Sequence, residues 1–114
     1  MAITSDIIRK QGDTYPIEVT ILKDSGAPID LTGASEIILG VAASEIITPP
    51  DEPELLLNGS VIEAETGKIN FDISISESAG LNPADYFAEI QFEQGGYIIT
   101  TETFRYRIKG QIVM

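Results

Sequence analysis

The chain has 114 residues, 43% hydrophobic and 22% charged, with seven Lys plus Arg against 18 Asp plus Glu and no His, Cys or Trp. Without Cys or His, disulfides, thiolate chemistry, the usual zinc sites and Ser-His or Cys-His nucleophile pairs are all excluded. A formal charge of -11 opposes docking on nucleic acid or an anionic membrane, because both recruit Lys and Arg.

The length fits a single domain over residues 1–114, and a chain of this size buries about two thirds of its unfolded surface, enough for a core without covalent staples. The start MAITSDIIRKQGD lacks the apolar run of a secretory leader, and no stretch approaches the roughly 18 apolar residues of a membrane span. The expectation is a cytoplasmic product beginning at Met1.

Ile alternates with polar residues in short runs bounded by Gly, Pro, Asn and Asp, which is the two-residue period of half-buried strands. Residues 3–10 carry Ile3, Ile7 and Ile8, which read either as a first core strand or as an apolar contact surface near the terminus. Over residues 15–21 the pattern points Tyr15, Ile17, Val19 and Ile21 inward and Glu18 and Thr20 outward, with Pro16 at a strand start or edge because it has no N–H. Residues 23–28, KDSGAP, form a turn in which Gly26 takes positive φ. Residues 36–47 fit either helical spacing or a strand pair, and Gly40 with the β-branched residues favours strand. The segment TPPDEPE at 48–54 is a stiff, solvated loop.

Asn58-Gly59-Ser60 matches a glycosylation sequon but reads as a turn in a chain without a leader. A strand at 61–65 reverses through Thr66-Gly67 into the cleanest strand, 68–75. There Ile69, Phe71, Ile73 and Ile75 face inward, and Lys68, Asn70, Asp72 and Ser74 face out. Residues 76–85 hold a helical turn, then Leu81, Pro83 and Tyr86 at the spacing of a tyrosine corner; an ordinary core Tyr after a Pro-containing turn is the other reading. Residues 86–93 place Tyr86, Ala88, Ile90 and Phe92 on one face and turn at 94–96 into a last strand, 97–109. In that strand Ile98, Phe104, Tyr106 and Ile108 share one parity and Ile99 does not, as a bulge between Thr100 and Thr103 would produce. The whole predicts an all-β protein, an antiparallel immunoglobulin-like sandwich of about seven strands.

Candidate sites are few. Asp51, Glu52 and Glu54 could offer oxygen ligands to Ca²⁺, but Pro49, Pro50 and Pro53 restrain the backbone, so a solvated charge cluster is favoured. Asp30-Leu31-Thr32-Gly33 invites comparison with the D-T-G of aspartic proteases; Leu31 breaks the motif, leaving a turn in which Asp30 bonds local backbone and Gly33 takes positive φ. No pair of the 18 acids stands out for glycosidic chemistry. Arg105, Arg107 and Lys109 put three of the seven basic residues on one face of the last strand. They dock an acidic surface or pair with acids on a neighbouring strand. No cofactor or metal is implied.

The strings Gly12-Asp13-Thr14-Tyr15-Pro16-Ile17 and Pro28-Ile29-Asp30-Leu31-Thr32-Gly33-Ala34, followed by residues 67–75 and AGLNPADYFAEIQF at 79–92, resemble the N-terminal domain of phage baseplate upper proteins. The resemblance covers most of the chain outside 44–57. It implies an immunoglobulin-like sandwich, a structural component of a phage tail or baseplate located in the virion, and in the host cytoplasm before assembly. Such a component is not an enzyme. It docks on other virion proteins, with self-assembly into a homo-oligomer left open, and engages neither nucleic acid nor membrane. In that setting Ile3, Arg105, Arg107 and Lys109 are the candidate partner contacts, and Gly12, Asp13, Pro16, Asp30, Gly33, Pro83 and Tyr86 the structural positions. A glycan- or cell-surface-binding sandwich is the alternative, although no Trp is available for sugar stacking.

Overall fold

A computed structural model describes residues 2–3, 7–43 and 54–110. Among these residues nine strands and one short helix follow in chain order: β1 (Ala2–Ile3), β2 (Ile7–Lys10), β3 (Ile17–Leu22), β4 (Ser35–Ala42), β5 (Leu55–Glu63), β6 (Lys68–Phe71), α1 (Ile75–Ala79), β7 (Ala84–Gln94), β8 (Tyr97–Thr100) and β9 (Phe104–Lys109). The hydrogen-bonded order is β1-β3-β6-β5-β4-β7-β9-β2, with β8 added to β7. The protein is all-β, and every pairing among the described strands is antiparallel except β2 with β9, which is parallel in the register Ile7↔Tyr106 to Lys10↔Lys109.

The path folds back on itself at β5. Its residues up to Asn58 pair with β4, and its residues from Gly59 onward pair with β6. One layer is therefore β1, β3, β6 and the second half of β5. The other is the first half of β5 with β4, β7, β8, β9 and β2. Between them lie the alternate residues of each strand: Ile17, Val19 and Ile21 of β3, Leu39 and Val41 of β4, Ile69 and Phe71 of β6, Ile90 and Phe92 of β7, and Tyr106 of β9, all buried. Each such side chain contributes about 1.5–3 kcal/mol by leaving water, and two inward faces are needed to supply that burial.

Several expectations change on contact with this architecture. Tyr15, which the alternation points inward, is 56% exposed and precedes β3, which starts at Ile17 after Pro16. Asn58-Gly59-Ser60 is not a turn but the middle of β5, where the strand passes between layers. Gly59 has no side chain because none fits: a Cβ there would lie 2.5 Å from Phe71 Cε1. The strand expected at 68–75 ends at Phe71, although Ile73 remains buried. Ile75 belongs to α1, which Ser74 and Glu77 close with a capping box: Glu77 N–H donates to Ser74 Oγ, and Ser74 N–H to Glu77 Oε1. Over residues 36–42 the strand alternative holds; residues 44–47 and the acids Asp51 and Glu52 lie outside the described residues.

The slip in the last strand is a bulge. Glu102 and Thr103 together oppose the single residue Glu89, between the pairs Ile90 with Thr101 and Ala88 with Phe104. Ile99 thus turns inward, and Ile98, expected there, is 70% exposed. Thr101 makes the bulge tolerable: its N–H donates to Ile90 O at 2.9 Å, and its buried Oγ1 accepts the Ile90 N–H at 3.0 Å in place of a backbone carbonyl. Thr101→Val keeps the shape and leaves that buried N–H without an acceptor. We expect a loss of about 1–3 kcal/mol, read by urea denaturation, with Thr101→Ser retaining most of the stability.

Candidate docking surface

β9 displays Arg105, Arg107 and Lys109 on the outer face of its layer because Phe104, Tyr106 and Ile108 occupy the inner one. The parallel partner β2 then brings Lys10 beside Lys109 and the 53% exposed Ile8 beside Arg107. Four of the chain's seven basic residues thereby share one patch. Lys10 was not legible as part of it, since a parallel pairing between chain ends leaves no local signal. On the other side β7 places Asp85 opposite Arg107 and Phe87 opposite Arg105. Asp85 lies 3.9 Å from both Arg105 Nη1 and Arg107 Nε, and the Arg105 guanidinium carbon sits 5.7 Å from the Phe87 ring centroid. These are long, exposed ion pairs of the kind that contribute at most about 1 kcal/mol. Asp85 on the neighbouring strand is thus an acid that pairs with two of the three β9 bases, the second of the two readings the sequence offered, while Lys10 and Lys109 extend the patch along β2 and β9.

The inner side of β2 holds a residue the sequence did not single out. Arg9 is 4% exposed, and its Nη2 donates to Tyr15 O at 2.7 Å and Asp13 O at 3.1 Å. Its guanidinium carbon lies 3.9 Å from the Tyr15 ring centroid, which explains why Tyr15 stays out of the core. The turn so fastened contains Gly12 at φ 88, and Asp13 N–H donates to Lys10 O. Gln11 ties it to the loop between α1 and β7 through Nε2 to Leu81 O, and past Pro83 the Tyr86 hydroxyl donates to Asn82 O at 2.9 Å, the return to upstream backbone of a tyrosine corner. Burial raises the Tyr106 pKa, against the lowering effect of the nearby Arg9 charge.

At the opposite end of β7, Asp30 Oδ1 accepts Thr32 Oγ1 at 2.6 Å and Thr32 N–H at 2.9 Å, and Gly33 takes φ 81. Those two bonds hold the Asp30 carboxyl below its ordinary pKa. A protease dyad needs the reverse, a carboxyl that shares a proton with a second one. Gln94 Nε2 donates to Asp30 O and Thr32 O, locking this turn to the β7–β8 hairpin. Ile3, on β1, is half-buried against the core while pairing with Ile21. Among the described residues no group of three or more acids is placed to hold a metal ion, and no helix is long and apolar enough to cross a membrane.

Neither a protein-family profile nor a curated protein matches the sequence. The fold is similar to a solved structure, the N-terminal domain of phage TP901-1 ORF48, with a TM-score of 0.60 and 18% identity over 92% of this chain and 83% of that one. The likeness is one of fold: this all-β arrangement is similar to that of a domain from a phage protein.

Proposed function

We propose that this protein is a non-enzymatic phage or prophage virion subunit, a tail or baseplate component built as one sandwich domain over residues 1–114 that docks on other virion proteins. The observation that carries the reading is the fold shared with a phage domain across nearly the whole chain. The Gly12-Asp13-Thr14-Tyr15-Pro16 and Asp30-Leu31-Thr32-Gly33 passages support it, since both sit in turns fixed by side-chain bonds to backbone. The patch of Arg105, Arg107, Lys109 and Lys10 is the proposed contact for an acidic surface of a neighbour, with Ile3 contributing from the β1 edge. Single contacts of this kind are weak, and repetition around a tail ring would supply avidity.

The test is co-purification with phage tail proteins, using Arg105→Glu together with Arg107→Glu. We expect the folded double mutant to lose association by about tenfold or more. Equal association would remove the patch from the interface, and failure of the wild type to associate would remove the virion role.

A further inference from the structure

Among the described residues, the hairpin of β7 and β8 leaves a strand edge open. β7 and β8 are joined by Gly95 at φ 61 and Gly96 at φ 81, a two-residue turn with both central residues left-handed. In such a hairpin the flanking pair, Gln94 and Tyr97, exchanges both ladder bonds, and every second pair after it does the same. Thr101 N–H donating to Ile90 O continues that series. Ile98 and Thr100 therefore aim their N–H and C=O groups away from β7. No described strand receives them, because β2 pairs with β9 and not with β8. Tyr97 and Ile98 are 74% and 70% exposed, the most exposed large apolar residues among those described. The sequence Tyr97-Ile98-Ile99-Thr100 carries none of the Lys or Pro that usually blunts an edge.

Charge decides what would cover it. Glu93 stands opposite Ile98 in the β7–β8 register, Glu102 lies two residues past the end of β8, and both are exposed. The nearest basic side chain along the chain, Arg105, is turned to Phe87 and Asp85. A second copy pairing edge to edge would add its own exposed glutamates and a chain charge of -11 to an edge that is already acidic. A basic strand gains where a second copy loses.

We infer that the β8 edge docks an extended basic segment of a partner protein, which adds as a strand to Ile98 and Thr100 and sets Lys or Arg side chains against Glu93 and Glu102. The biological meaning of this site rests on the docking role proposed above. Its test does not: peptide binding reads the edge, whereas tail association reads the role.

The probe is a short synthetic peptide of alternating Val and Lys, titrated into the full chain and followed by backbone-amide NMR. The expected result is saturable shifts concentrated at residues 97–103. Affinity should fall about tenfold or more with Ile98→Pro, which removes an outward N–H and no bond to β7, and fall similarly with Glu93→Lys plus Glu102→Lys. Should Ile98→Pro not fold, a peptide N-methylated on alternate amides asks the same question of the wild type and should bind about tenfold more weakly or worse. Absence of binding, shifts elsewhere, or equal affinity of the methylated peptide overturns the inference. So does a dimer of the wild type that Ile98→Pro abolishes, since a second copy would then be the occupant.

Discussion

Gly67→Ala is expected to lower stability by about 3 kcal/mol or more, the sum of a left-handed backbone term of roughly 1–2 kcal/mol and a clash that the surroundings cannot relieve. Gly67 ends the turn between β5 and β6 at φ 71, where an L side chain is already strained. Its Cβ would stand 2.7 Å from Ile21 O and 3.0 Å from Ile29 O. Both oxygens are backbone, and Ile21 O already accepts the Ile29 N–H while Ile21 N–H donates to Gly67 O. A shift that made room would thus break the bonds joining β3, the 27–34 loop and the turn. Gly26→Ala is the matched control: its φ is 89, but no atom lies within 4 Å of the added carbon. The difference between the two variants in thermal or urea unfolding isolates the clash, and near-equal losses would show that backbone strain alone matters. For a domain of this size about 3 kcal/mol corresponds to a fall in Tm of roughly 10–15 °C.

The second large effect is expected at Gly59, for a different reason. Its backbone is not left-handed, so Ala there would by propensity alone be neutral or favourable. The added carbon would nevertheless meet Phe71 Cε1 at 2.5 Å, Phe71 Cδ1 at 2.9 Å and Ile69 Cγ2 at 3.0 Å. Phe71 and Ile69 have no exposed surface and nowhere to swing. Overpacking of this kind costs about 1–3 kcal/mol, and we expect Gly59→Ala to fall near the upper end. Phe71→Leu is destabilising on its own but should rescue part of the Gly59→Ala loss, giving a favourable coupling of about 1 kcal/mol in a double-mutant cycle. Strict additivity would show that the ring is not what holds position 59 to glycine.

These two glycines mark the boundary of what the sequence discloses. Gly67 was legible as a turn because Thr66-Gly67 separates two alternating runs, although the backbone oxygens of Ile21 and Ile29 that crowd it come from elsewhere in the chain. Gly59 was misread because Asn-Gly is a strong local turn signal, while the ring that excludes a side chain comes from another strand. The same division runs through the rest. Ile69, Phe71, Ala88, Ile90 and Phe92 were placed correctly by period alone, since each strand buries one face. Arg9 shares the inward parity of Ile7, but a charged residue is not expected in a core, and the carbonyls that receive it belong to the next turn. The basic patch was visible only in its β9 half, because Lys10 joins it through pairing between strands about a hundred residues apart. The bulge was inferred from the phase slip; the hydroxyl of Thr101 that completes the ladder could not be. The Ser74 to Glu77 capping box is present in the sequence as a spacing, Ser-x-x-Glu, ahead of the helical turn.

The parallel pair of β2 and β9 also has a mechanical meaning. In a parallel pair the start of one strand and the end of the other lie at opposite ends of the ladder. A pull between the chain just before Ile7 and just after Lys109 therefore acts along the strands in opposite directions. The register Ile7↔Tyr106, Ile8↔Arg107, Arg9↔Ile108 and Lys10↔Lys109 would be loaded in shear, all pairs at once, rather than unzipped one after another. Gln11 N–H donating to Lys109 O lengthens that clamp, and the Arg9 bonds to the following turn brace one end of it. Resistance to force is set by the rate of unfolding rather than by net stability. A domain of modest equilibrium stability can in this way hold its shape under tension applied through its own ends.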